Sequence, residues 1–294
     1  MSESFLSPDV LGSQTFQLAE SPVWLDRSSE LIWVDLEEGS VHSYSGTRGT
    51  RRLGGLGMPV GAVAPVSGGG FVLAARDGFV GADGSFAHVE LLAPVSPEDS
   101  TILMNDGKCD PRGRFWAGTM DSDGRPDRGA LFRLEPAGRA VAVIENVSLS
   151  NGVGWSVDGS LMYYVDSPTR RVDVFDFDPD SGEPSNRRPF VVCDEGWGLP
   201  DGLSVDEEGC VWVAFWGGSE VRRFGPDGNV VGGVALPASQ VTSCAFGGTD
   251  RQTLFITTAG GYLTDEQRAA EPHAGALFAV ETRVRGVRIP EVLL

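Results

Sequence analysis

Histidine, cysteine and basic residues are scarce in this chain, and each scarcity narrows what the protein can be. The three histidines, His42, His88 and His273, stand far apart and read as surface or loop residues; HExxH, GxSxG and a Gly-rich phosphate loop are all missing. The four cysteines, Cys109, Cys193, Cys210 and Cys244, show no CxxC spacing and lie within or beside apolar strand patterns, which predicts free, buried thiols in a reducing compartment. Only 23 basic residues stand against 41 acidic ones; the net charge of -18 repels phosphate backbones and anionic lipid surfaces, so neither nucleic acid nor membrane is expected as a partner. No run of about 18 apolar residues occurs. The opening MSESFLSPDV lacks a basic region followed by an apolar stretch, and a cytoplasmic protein is expected. Helical signal is thin too: TDEQRAA, Thr264 to Ala270, with Thr264 and Gln267 at capping-box spacing, predicts one or two turns in a loop.

What the chain does have is glycine, proline and a repeat. Forty Gly and 18 Pro are spread along 294 residues, as many tight turns between short strands require, and 41% hydrophobic content can bury a large core. The stretch NDGKCDPRGRFWAGTM from Asn105 recurs in plan at Glu20, Pro59, Ser150, Pro200 and Thr242. Its second strand centres on Trp33, Leu73, Trp116, Tyr164, Trp212 and Phe255 in turn. Neighbouring copies stand about 40 to 50 residues apart, the spacing of four-stranded propeller blades. The prediction is an all-β fold, a six-bladed β-propeller of four-stranded antiparallel blades, forming one domain over residues 1–294. Thr15 to Leu18 is expected as a strand that completes the last blade, alongside strands at Gly275 to Val280 and Val284 to Val287, so that no sheet edge is left at the seam.

Aligning the copies puts Glu20, Asn105, Asn151 and Asp201 in one register, about a dozen residues ahead of the next strand's aromatic. Repeats related by rotation would converge these four side chains at one mouth of the central channel. The other two copies offer Pro59 or Val60 and Thr242 or Ser243, which coordinate poorly. Taken singly, Asn-Gly and Asp-Gly are turn formers. Together, two carboxylates and two amides make an oxygen-donor site for a hard divalent cation. The later Asp26, Asp110, Asp158 and Asp206 fall at hairpin turns and read as structural.

The motifs ESPVW at Glu20, NDGKCDPRGRFWAGTM at Asn105, SNGVGWSVDG at Ser150 and PDGLSVDEEG at Pro200, in that order, resemble the gluconolactonase, regucalcin (senescence marker protein) and luciferin-regenerating enzyme family along essentially the whole chain. The resemblance implies a six-bladed propeller with one catalytic divalent cation, Ca²⁺ first and Mg²⁺, Mn²⁺ or Zn²⁺ as alternatives, held by Glu20, Asn151 and Asp201, with Asn105 contacting substrate. It implies a lactone hydrolase in which Asp201 accepts a proton from the attacking water. The chain departs from the sugar-lactonase pattern at Leu103, where those relatives resemble one another in carrying Arg; a site with Leu there loses a donor to sugar hydroxyls. A further substrate-contacting acid maps to Asp123, and Trp197, with Phe215 and Trp216, makes the expected pocket more apolar. A phosphotriesterase or broad esterase, or a non-catalytic calcium- or ligand-binding protein, would use the same scaffold. Oligomeric state is not legible.

Overall fold

Strand burial in the computed structural model, which describes residues 4–95, 98–136 and 138–294, falls from the axis outward. The inner strands Ala19–Leu25, Val60–Pro65, Ile102–Cys109, Ser150–Trp155, Leu199–Val205 and Val241–Gly247 are buried almost throughout. Outer strands such as Arg139–Val147 and Glu183–Val192 are mostly exposed or half-buried. Six inner strands crowding one axis leave little room for side chains, which is why glycine and alanine recur there. A Cβ on Gly61 would meet the Asn105 backbone at 2.4 Å, and one on Gly152 would meet the Asp201 carbonyl at 2.6 Å.

Each inner strand opens a four-stranded antiparallel sheet, and the six sheets are arranged as a six-bladed propeller. The Trp33, Leu73, Trp116, Tyr164, Trp212 and Phe255 side chains, one in each second strand, are all buried. There is no single core. Apolar clusters fill the gaps between successive blades, one cluster for each of the six interfaces. At the hairpins between first and second strands, Asp110 accepts from the N–H of Arg112 and Arg114 and from Trp116 Nε1 at 2.8–3.1 Å. Asp206 repeats the pattern with Glu208, Cys210 and Trp212 Nε1. The recurring Asp-to-Trp spacing is thus a turn brace.

The seam differs from expectation in which segments form it. Thr15 to Leu18 is not a strand: it forms an isolated bridge from Leu18 to Ala259 and backbone hydrogen bonds that tie Phe16 and Gln17 to Gly260, Gly261 and Gly275. The strand that completes blade 6 is Asp9–Leu11, antiparallel to Leu277–Glu281. Phe5–Leu6 lies parallel to the outer strand of blade 5, making that sheet five-stranded. The opening decapeptide read above begins in residues 1–3, outside the described residues. Val284 to Val287 is not a strand. It belongs to a segment bonded to blade 5 through Val205, to blade 2 through Pro65 and to blade 3 through Gly113, and so straps the far end of the channel. The helix Asp265–Ala270 forms with its capping box. Among the described residues, the four cysteines are free and buried, and no helix is long and apolar enough to cross a membrane.

Candidate metal and substrate site

Every inner strand is bulged at the same level, and the site is built at those bulges. Asn105, Asn151 and Asp201 are bulge residues within strands rather than turn residues. The glycine after Asn151 and Asp201 serves close approach of the next blade instead of a turn. In strand register Glu20 stands one step earlier, paired with Val34, where Ser150 and Pro200 pair in their own blades. All four side chains are buried, at 4–6% exposure.

Both amides have their orientation fixed by neighbours that leave no choice. The Ser167 hydroxyl donates to the Pro200 carbonyl at 2.6 Å, so its oxygen can only accept from Asn151 Nδ2, at 2.7 Å. That turns Asn151 Oδ1 the other way, toward Asn105 Nδ2 at 2.9 Å. Asn105 Nδ2 also donates to the Ser150 carbonyl at 2.8 Å, leaving its own Oδ1 as a free acceptor among the described residues.

The carboxylates are under-served. Asp201 Oδ1 is buried with no hydrogen-bond partner, and Glu20 Oε2 receives only the N–H of Ser21 at 3.0 Å. Burial pushes the Glu20 carboxyl well above the usual carboxylate range, and the Asp201 and Asp106 charges add to it. Burial and Asp106 raise Asp201 likewise. Asp106 was not foreseen. It follows Asn105 within the same two-residue bulge and takes the Ser21 hydroxyl and the Gly107 N–H. Ser21 holds a positive φ of 46° between Glu20 and Pro22, a strained conformation that the Asp106 bond helps to pin.

An orphaned buried oxygen, two oriented amide oxygens and mutually repelling carboxylates fit a hard cation. Among the described residues no group of three or more His, Cys, Asp and Glu side chains is close enough to hold a metal ion. Glu20, Asp201 and the Asn151 amide, with Asp106 beside them, are the residues that would hold one.

Of the other predicted residues, Leu103 and Asp123 belong to segments that lead to this mouth, whereas Trp197 packs against the apolar cluster between blades 4 and 5. Leu103 is half-buried, paired with Met120, two residues before Asn105. Asp123 is exposed, 3.6 Å from Arg125, in the loop beyond Phe115–Asp121. The Trp197 ring packs on Phe215, Phe224 and Arg222, along the second and third strands of blade 5. Tyr262, which sequence reading passed over, packs edge-on to Trp216 at 5.6 Å and donates to Glu37, joining blades 5, 6 and 1 at the rim. His42 corrects an expectation: it is a core residue, packed on Phe16 and Trp33, with burial pushing its imidazole down to about 4. Below the ring, a cavity of about 170 Å³ is lined by Lys108, Trp24, Trp155, Arg251 and Ile289.

A six-bladed propeller with a polar, oxygen-donor ring at one mouth defines the class. Residues 18–260 match the family described as the SMP-30/Gluconolactonase/LRE-like region, and the chain belongs to that family. It is 39% identical to regucalcin of Danio rerio over 269 residues, 90% of each chain. It is 36% identical over 270 residues, 92% of each chain, to YvrE of Bacillus subtilis (strain 168), whose name proposes a sugar lactone lactonase. Among solved structures, a regucalcin from Agrobacterium tumefaciens described as a calcium-binding protein superposes with a TM-score of 0.94 over all of both chains at 27% identity.

Proposed function

We propose that this protein is a metal-dependent lactone hydrolase, and the observation that carries the reading is the buried, unpartnered Asp201 Oδ1, whose carboxylate acts on the buried Glu20 beside it. Glu20, Asn151 and Asp201 would hold a divalent cation, Ca²⁺ by preference for an all-oxygen set, which would supply Lewis acidity at the lactone carbonyl. Asp201 takes a proton from the attacking water, whose oxygen bonds the carbonyl carbon as the ring C–O bond breaks. The proton passes to the departing alkoxide oxygen, and the product is an open hydroxy acid. Asn105, with its Nδ2 tied down, offers Oδ1 to a substrate hydroxyl or to the water. Leu103 presents a methyl surface where a sugar-directed site would place a donor, so lactones with few hydroxyls or an apolar substituent are the favoured class, with Asp123 and Trp197 as outlying contacts. Buried free thiols favour a reducing cytoplasm.

The test is a lactone panel read with a pH indicator after chelation, with Ca²⁺, Mg²⁺, Mn²⁺ and Zn²⁺ restored in turn. Turnover should vanish on chelation and return with the cation. A phosphotriester turned over faster than any lactone would replace this reading. The description of the Agrobacterium neighbour favours a second reading, a cation-binding protein without catalysis, which predicts tight binding and no turnover across the panel.

A further inference from the structure

Lys108 is the one lysine among 23 lysines and arginines. It stands two residues past Asp106 on the inner strand of blade 3, and its ammonium donates across the channel to the Leu203 carbonyl on the inner strand of blade 5. Leu203 lies two residues beyond Asp201, so the ammonium bridges the axis one step below the ring, above the lower cavity that its side chain helps to line. Asp106 is the carboxylate whose charge acts on it, and Glu20 and Asp201, both buried, lie in the field of that same Asp106. Three negative charges and one positive charge leave two negative charges.

We propose that Lys108 is a positioning residue that acts as a fixed counter-charge, setting the central site to the charge of one divalent cation and so selecting divalent over trivalent ions. The proposal rests on the cation reading above. Asp106 enters through its field rather than as a ligand, because its Oδ1 is taken by the Ser21 hydroxyl and the Gly107 N–H. Lysine suits the position better than arginine: one carbonyl meets it, and a compact ammonium fits where a five-donor guanidinium would leave N–H groups unpaired. Burial lowers the Lys108 ammonium while Asp106 opposes that shift, and Lys108 is the leading influence opposing the rise of Asp106, as expected of a pair that stabilises itself in the channel.

The test is calorimetric titration of metal-free protein with Ca²⁺ and with La³⁺ at one fixed pH, in wild type, Lys108→Met, Asp106→Asn and the double variant. Removing one unit charge this close to the ring is expected to raise the La³⁺/Ca²⁺ affinity ratio on the order of tenfold or more in Lys108→Met and to lower it in Asp106→Asn. The double variant restores two net negative charges and should return the ratio to within about threefold of wild type if charge alone sets it. Equal changes in both affinities, or a double variant that does not recover, overturn the proposal. A wild type that binds neither ion overturns the cation reading itself and is seen before any variant is made. A readout independent of folding variants is the single lysine resonance of wild-type protein labelled with ¹³C-lysine: its ε-carbon signal should move on adding Ca²⁺, and a signal that stays fixed counts against the proposal.

Discussion

Two sets of buried carboxylates sit at opposite ends of the inner strands, and the chain treats them differently. At the hairpin end, Asp110 and Asp206 are fully buried, and each takes two turn amides, an indole N–H and an arginine. At the mouth end, Asp201, on the strand that leads to Asp206, keeps an oxygen with no partner, and Glu20, on the inner strand of blade 1, receives one amide. A buried polar atom left unpaired costs about 1–3 kcal/mol. The hairpin carboxylates therefore serve the fold, whereas the mouth carboxylates hold capacity for something that arrives. Position in the repeat marks the two sets, and the count of partners shows what each is for.

The largest effect expected from this contrast is catalytic. Asp201→Asn keeps an oxygen donor and removes the base, and kcat should fall by about 10²–10⁴ with cation binding still measurable by calorimetry. Turnover near wild type at saturating cation would remove Asp201 from that role. At the other end, Asp206→Asn leaves Arg223 and the turn amides short of a charge, and a urea midpoint should report a loss of about 3–5 kcal/mol with little change in kcat. A variant of unchanged stability would erase the distinction.

A smaller effect sharpens the same contrast by adding a donor where the mouth has none. Leu103→Arg should move the kcat/KM preference toward glucono-δ-lactone, relative to an alkyl-substituted lactone, by roughly 5-fold to 150-fold, the range of one unpaired buried group. No movement places Leu103 outside the pocket. The smallest is a pH dependence. Glu20 is held above 4.5, so its protonated form is favoured by folding; in metal-free protein that contribution is full below 4.5 and is lost as pH rises through the elevated value. The unfolding free energy of wild type relative to Glu20→Gln should therefore decline with rising pH, by about 1.4 kcal/mol per unit of elevation. Saturating Ca²⁺ should abolish the decline, since the cation favours the charged form. A flat difference without cation means Glu20 is not under the strain described.

Much of this was legible because rotation turns sequence register into spatial convergence. The six second-strand centres, from Trp33 to Phe255, located every blade. Asn105, Asn151 and Asp201 stood in register because the bulge recurs at one level. Glu20 entered the same alignment although it lies one step early in strand register. Asp106 and Lys108 were hidden within NDGK, which reads as a turn; the available signal was that a bulge gives two successive residues to one partner, so the residue after Asn105 also belongs to the ring. His42 looked isolated because its neighbours Phe16 and Trp33 are brought to it by pairing and not by spacing. The closing strand was misplaced because TFQL alternates like a strand, whereas Asp9–Leu11 takes its identity from a partner near the other end of the chain.

That seam also governs the order of events in folding. The strand Asp9–Leu11 has no local partner and must wait for Leu277–Glu281, so the ring cannot close until nearly the whole sequence is in place. Contacts of such long separation carry a large loop-closure entropy before they return any stabilisation, which makes closure a late step. Until then blade 6 exposes a bare edge that can pair with another copy. The parallel addition of Phe5–Leu6 to blade 5 fastens the same short segment to two blades at once, so a single docking event both seals the circle and locks blades 5 and 6 together.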